Sequence, residues 1–420
     1  QDCWMQTNQS HYANTPIIQY SGFDKMSAES PLTKRIKRHV IGRRRDYFAV
    51  TAPGFETLCL NELQSLVPDH LAASADTGGV AFKGRLQECY LANLNLRTAN
   101  RILMRIETVD ATSFSQLKNK LSEISWELFL NADQVLQTHV ATRHCKLYHT
   151  GAISERILNA IEARKKNWEF KVPDEKSPSL TQNIYVRGVD DRFTVSIDSS
   201  GEGLYKRGLK QHAGTAPLRE TLAAASLSLA GYSGTEPLID PMCGAGTYSL
   251  EAALMVKKIP PGWFRDFAFM QWPAYRKKRF EYLKGQFQDD FEQPEKPLIF
   301  ASDKDPLACS QLEQCTRQFG LSDTVSIHNA DFFDLVPGDF TDQPGLITIN
   351  PPYGRRIGTR QESIEIFQAI CETLAREYKG WKLVLIAPSK QLEKKVPFKL
   401  KAYPLFHGGL VLKLMVGKIR

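Results

Sequence analysis

The apolar residues of this chain fall into two repeating patterns, short runs of period two or unbroken hydrophobicity and longer stretches of period 3.6, and the two alternate along most of its length. In the first half, Tyr47 to Thr51 predicts a strand, and Phe55 to Leu66 a helix with Glu56 and Glu62 outward. Val80 to Phe82 is a second strand. Helices are expected near Gln87 to Asn95, Phe114 to Ile124 and Ile153 to Lys165. Strands are expected around Arg101 to Glu107, Gln134 to Ala141, Asn183 to Arg187 and Arg192 to Asp198. In the second half, Pro237 to Asp240, Leu298 to Asp303, Val325 to Phe332, Leu346 to Ile349 and Lys382 to Ala387 read as buried strands. Helices over Thr247 to about Lys258, Pro306 to about Phe319 and Ile364 to Tyr378 separate them, and Leu410 to Val416 is a last strand after Gly408 and Gly409. A helix beginning near Pro217 ends at Gly231. Strands alternating with helices predict an α/β fold with a mostly parallel, doubly wound sheet whose strand C-termini form the site.

Four of those strand ends carry chemistry. The first leads into Asp240-Pro241-Met242-Cys243-Gly244-Ala245-Gly246-Thr247, a Gly-rich turn opening a helix. Glycines there let the backbone approach a ligand, and the helix N-terminus offers free N–H groups. The loop lacks a third glycine and lacks Gly-Lys-Ser/Thr, so it fits neither the dinucleotide fingerprint nor a phosphate-binding P-loop. Asp240 suits a cationic ligand such as S-adenosylmethionine. Asp303 ends the second strand, where an acid binds a ribose diol. Asp331 follows the third, placed for an adenine amino group, with Phe332 for the ring face. Any one of these acids is equally at home as an N-cap; their register at successive strand ends is what points to a cofactor.

The fourth end is Asn350-Pro351-Pro352-Tyr353. An amino group conjugated to a π-system is a poor nucleophile. If the Asn350 side-chain oxygen and the Pro351 carbonyl accept its two N–H groups, charge developing on nitrogen is stabilised. Tyr353 then stacks on the ring, and the two prolines stiffen the turn. This chemistry serves adenine, cytosine, guanine or a Gln side chain equally.

From about Asp46 to Arg420 the chain resembles the THUMP-domain RNA methyltransferases, and within them the bacterial large-subunit (23S) rRNA guanine-N2 methyltransferases. The likeness is carried by Gly203 to Gly208, Ala216 to Ala225, Asp240 to Thr247, Glu251 to Ala253, Pro261-Gly262, Phe267 to Phe269 and Trp272-Pro273. It implies that Asp240, Gly244, Gly246, Asp303 and Asp331 bind S-adenosylmethionine, together with Pro241, Cys243, Thr247 and Phe332, and that Asn350 to Tyr353 hold the target base. Met242 and Ala245 depart from the family's usual aromatic and Ser. The organisation expected is a basic, disordered arm (1–45), a Rossmann-like class I methyltransferase domain (218–420), and between them a ferredoxin-like plus THUMP RNA-binding region (46–200) and a connector (201–217). Some relatives carry a further C-terminal methyltransferase domain, whose activity is not expected of a chain ending at Arg420. Guanine N2 in rRNA rests on the resemblance alone; tRNA and adenine N6 stay open, as do a DNA or Gln methyltransferase and a non-catalytic assembly protein.

Charge adds partners. Lys and Arg number 54 against 46 Asp and Glu, net +8, which favours a polyanion. Lys34 to Arg45 contains no acid and suits nucleic-acid backbone. Arg143, Lys146 and His149 follow one strand, and Lys206, Arg207, Lys210 and His212 lie in the connector, where they are expected to contact RNA. His139, His144 and Cys145 nearby suggest a metal less well than phosphate contact. The eight cysteines form no Cys-x-x-Cys pair, so neither zinc, nor a disulfide framework, nor a radical cluster is expected. Cys243 is expected to pack, not attack. Without an apolar leader or a membrane-length run, the expectation is a soluble cytoplasmic protein without membrane or metal partners.

Overall fold

The computed structural model describes residues 30–67, 72–165, 181–210, 218–352, 360–407 and 409–420. Tyr353, His212, Pro217, Gly408 and most of the arm lie outside these residues.

Seven strands form the first sheet: β1 (Arg45–Thr51), β2 (Ala73–Asp76), β3 (Gly79–Gly84), β4 (Ala99–Asp110), β5 (Leu136–Arg143), β6 (Gln182–Val189) and β7 (Arg192–Asp198), in the order β2-β3-β1-β4-β7-β6-β5. The long β4 joins both halves of this sheet, pairing antiparallel with β1 on one side and with β7 on the other. Among the described residues of this sheet only β5 and β6 pair in parallel, with the helix Thr150–Lys165 between them in sequence.

Two expectations fail here. Pro31–Ile36 is helical, N-capped by the Ser30 hydroxyl, and Ile36 and Val40 enter the first core, so the basic stretch is folded from Pro31 onward. Glu62 does not face solvent. It accepts from Arg97 N, Thr98 N and Thr98 Oγ1 at 2.8–3.1 Å, closing the turn that leads into β4.

The second sheet holds β8 (Leu238–Asp240), β9 (Ile299–Asp303), β10 (Val325–Asn329), β11 (Leu346–Ile349), β12 (Lys382–Ala387), β13 (Leu400–His407) and β14 (Leu410–Lys418), ordered β10-β9-β8-β11-β12-β14-β13. The first five are parallel, and β8 lies between β9 and β11, so the winding reverses at its C-terminal end. That is where ligands bind in open α/β sheets. All four residues of β11 are buried, as helices on both faces require. β13 and β14 are antiparallel, which makes the sheet mixed. β13 was not anticipated; its Pro404 is tolerated because it occupies the edge.

The halves share their cores. Phe267, Phe269, Trp272 and Phe280, from the second half of the sequence, pack into the first core, with Phe269 and Tyr90 ring centroids 4.5 Å apart. Phe55 returns the exchange, joining the second core, to which Leu405 and Leu412 also belong. Arg265 fastens the connector by donating to the carbonyls of Ser200, Glu202, Gly203 and Lys206 at 2.7–3.0 Å.

Among the described residues, no helix is long and apolar enough to cross a membrane. None of them forms a metal-binding group of three or more His, Cys, Asp or Glu side chains.

Candidate active site

The C-terminal ends of β8, β9 and β11 and the turn after β10 surround a cavity of about 610 Å³, lined by Asp240, Pro241, Cys243, Gly244, Thr247, Asp303, Asp331, Phe332, Asn350 and Pro352 among others. Ten of the thirteen residues expected to hold cofactor or base thus meet in one space. Of the other three, Tyr353 lies outside the described residues, and Gly246 and Pro351 adjoin lining residues without being part of the lining.

The Gly-rich turn is built by its backbone. Cys243 N donates to Ser302 O at 2.9 Å and Gly246 N to Cys243 O at 2.7 Å, which folds the loop tightly onto the end of β9. Gly244 (φ +49°) and Gly246 (φ +66°) are both left-handed, but for different reasons. A Cβ on Gly244 would meet nothing within 4 Å, so this residue keeps the cavity floor open; one on Gly246 would lie 2.4 Å from Leu312 Cδ1, so that glycine is needed for helix packing. The helix Thr247–Val256 opens at the cavity, with Thr247 and Tyr248 of its first turn in the lining.

Each acid has a structural partner as well as a cavity face. Asp303 accepts Gly244 N on Oδ2 at 2.8 Å and Asp305 N on Oδ1 at 3.0 Å, so it clamps the loop and keeps one lone pair on each oxygen for a diol. Asp331 accepts Phe333 N at 3.2 Å. Asp240 is 2 % exposed and accepts both Ser249 N and Ser249 Oγ on Oδ2. Burial outweighs those bonds and raises its carboxyl to about 6. Only the ionised form attracts a cation, so affinity for a cationic ligand is expected to fall as pH drops through about 6, by roughly tenfold per pH unit below it. Titration calorimetry with S-adenosylhomocysteine, which keeps the ammonium, checks this; Asp240→Asn should bind weakly with no such slope.

Several apolar residues at the cavity were not anticipated, and two of them are exposed. Leu307 is 62 % exposed and Phe333 40 % exposed, and both line the space. Phe332 was expected to present the ring face, yet it is 1 % exposed and packs in the core near Tyr378, forming the inner wall while its neighbour carries the accessible ring. The sequence signal was an apolar pair where one residue of the two must point away from the core.

Asn350 closes the far end. Its Oδ1 is buried and has no hydrogen-bond partner among the described residues. An orphaned buried acceptor costs about 1–3 kcal/mol, and a ligand N–H removes that cost. Cys243, 8 % exposed and flanked by Asp240 and Asp303, has its thiol pushed far up by burial and is no nucleophile.

The expected RNA contacts divide. Arg143 ends β5 and Lys146 and His149 follow it; all three are exposed and none lines the cavity, and Tyr148 beside them is 75 % exposed. His139 is a strand residue, hydrogen-bonded to Asn183 and stacked on Tyr185. Lys206 is exposed and paired with Glu202. Arg207 is a correction: its side chain is 2 % exposed and donates to Glu251, Leu204 O and Arg97 O, so it holds the fold together and is shut off from any polyanion. Lys210 reaches the cavity rim instead, donating to Thr247 Oγ1 at 2.6 Å while paired with Glu220.

Residues 207–408 match the family described as RMKL-like, methyltransferase domain, and residues 46–103 match the RlmL ferredoxin-like domain. The chain is 30% identical over 379 residues to the "Putative RNA methyltransferase slr0064" of Synechocystis sp., covering 88% of this chain and 96% of that one. It is 29% identical over 382 residues to the ribosomal RNA large subunit methyltransferase K/L of Methylococcus capsulatus, covering 89% of this chain and 51% of that protein. The chain therefore spans nearly all of the first relative and about half the length of the second. Among solved structures it is similar to SMU.472, "a putative methyltransferase complexed with SAH" (26% identity, TM-score 0.77, 90% of this chain and 99% of that one). It is also similar to a "predicted N6-adenine-specific DNA methylase" from Listeria monocytogenes (25% identity, TM-score 0.77, 89% and 96%).

Proposed function

Because the chain belongs to the RMKL-like methyltransferase family, we propose that it is an S-adenosylmethionine-dependent RNA methyltransferase acting on an exocyclic amino nitrogen, with guanine N2 of large-subunit rRNA as its target in the cytoplasm. The observation that carries this reading is the orphaned Asn350 Oδ1 at one end of a cavity whose other end is lined by three strand-end acids. The cavity suits this cofactor. Its volume of about 610 Å³ lies in the range of small-molecule sites. Carboxylates suit a ligand bearing an ammonium, a ribose diol and an amino group, and repel a polyphosphate.

When bound, the cofactor supplies an electrophilic methyl group on a sulfonium. The protein's share is placement. Asp240 and the N-terminus of the helix Thr247–Val256 hold the amino-acid end, Asp303 the ribose, and Asp331 with Leu307 and Phe333 the adenine. Asn350 Oδ1 and the Pro351 carbonyl accept from the two N–H groups of the target, so that its lone pair is directed at the methyl and the charge growing on nitrogen is stabilised. No base need act first, since the amino group attacks as a neutral nucleophile and its proton passes to water afterwards. The base reaches this turn by leaving its stack.

The half-length match to the K/L methyltransferase supports rRNA. The Listeria structure favours adenine N6 in DNA as a second reading with the same Asn350 chemistry. Purified protein incubated with methyl-labelled S-adenosylmethionine and, separately, rRNA, tRNA and DNA from a strain lacking this gene decides between them. Label in large-subunit rRNA is expected; label confined to DNA would overturn the proposal.

A further inference from the structure

The β13–β14 hairpin carries a surface that the cavity does not use. One face of it is spent on the core: Leu405, Leu412 and Leu414 pack in the cluster that includes Phe55. The opposite face holds the cross-strand pair Phe406 and Val411, which are 49 % and 65 % exposed. Below that pair, a groove of about 330 Å³ has a floor of Val396, Phe398, Ala402 and Met415. Its lining is basic: Lys390, Lys394 and Lys399 border it with the single acid Glu393, and all three are exposed, as are Lys395 and Lys401 in the same stretch. Among the described residues none of the five forms an ion pair, although the Lys401 ammonium lies 5.0 Å from the Tyr403 ring.

Strand register places this surface relative to the active turn. Ile349 pairs with Leu385, so Asn350 is level with Ile386, which pairs with Leu414 and through it with Tyr403. Val411 on β14 and Phe406 on β13 stand three rungs further along, about 10 Å beyond Asn350 toward the open edge of the site, and two and three strand spacings to the side, about 10 and 14 Å. Such a span covers a few nucleotides at about 3.4 Å per stacked step. A basic groove with accessible aromatic rings is how single-stranded nucleic acid is held without regard to sequence.

We propose that this trough binds the single-stranded RNA flanking the target nucleotide, with its lysines on phosphates and Phe406 stacked on a base. Extruding a base leaves its neighbours unstacked, and an exposed aromatic beside the site compensates for that loss. The inference rests on the RNA substrate proposed above and adds to it where the strand runs.

Fluorescence anisotropy with labelled oligouridine of about 12 nucleotides, and with a blunt RNA duplex of equal length, tests it. The wild-type protein should prefer the single strand. Phe406→Ala should weaken that binding about tenfold while S-adenosylhomocysteine affinity stays unchanged. Lys390→Gln/Lys394→Gln/Lys399→Gln should lower the slope of log affinity against log salt by about 2. Single-strand affinity and slope unaltered in both variants would overturn the inference. So would a wild-type dimer, seen by sedimentation, that Phe406→Ala dissolves without changing RNA affinity, because the surface would then belong to a second copy. Failure of the substrate reading is separately visible as wild-type protein that transfers no methyl to any RNA; the inference would fall with it.

Discussion

Replacing Asn350 by alanine should reduce methyl transfer by about 10²–10³-fold while S-adenosylmethionine binds as it does to the wild type. The side chain follows β11 and lines the cavity, and its Oδ1 makes no bond among the described residues that the substitution would break. In the proposed mechanism its removal leaves the target amino group without the acceptor that localises its lone pair. The loss should appear in kcat more than in KM, because the hydrogen bond strengthens only as charge develops. Single-turnover transfer and calorimetric cofactor titration on one preparation separate the two effects. Parallel loss of cofactor affinity would mean that Asn350 shapes the cavity instead of acting on the substrate.

The second large effect is on stability. Glu251→Ala should lower the free energy of unfolding by roughly 3–5 kcal/mol in urea titrations. Glu251 is 1 % exposed, accepts Arg207 Nε at 2.8 Å and Arg207 Nη2 at 3.3 Å, and lies 3.8 Å from Arg97 Nη1. Without it two guanidinium groups face one another in the interior. Arg97 belongs to the first half of the chain, Arg207 to the connector, and Glu251 to the helix whose N-terminus borders the cavity. The variant should accordingly weaken cofactor binding as well. The double variant Glu251→Leu/Arg207→Met should recover part of the stability, since replacing a buried ion pair whole is far cheaper than breaking it.

These residues also show how much the sequence disclosed. The strands β8, β9, β11 and β12 were legible because short apolar runs are at home in buried parallel strands, and three of them stop at Asp240, Asp303 and Asn350 in the cavity lining; β10, read as Val325 to Phe332, ends at Asn329, because Phe332 to Asp334 turn into a short helix of their own. Arg207 was misread for a physical reason. A cation in a connector looks the same whether it meets water or a carboxylate, and Glu251 comes 44 residues later on a helix that reads as apolar. Glu62 misled likewise, because helical periodicity does not record that the turn at Arg97 and Thr98 brings three donors to it. β13 was hidden by Pro404 and by lysines alternating with apolar residues, a pattern proper to an edge strand and easily taken for a loop. The packing of Phe267 to Phe280 into the first core was beyond local reading, although the density of aromatics there marks a buried segment.

In the proposed mechanism Asn350 presents an exocyclic amino nitrogen to the methyl donor. Nucleoside mass spectrometry of RNA methylated by the purified protein reads that atom out. The expected product carries its methyl group on an amino nitrogen, as N2-methylguanosine, and is lost in Asn350→Ala. A methyl group on a ring nitrogen, a carbon or a ribose oxygen would contradict it, because an acceptor pair at Asn350 and Pro351 gives no advantage to any of those atoms.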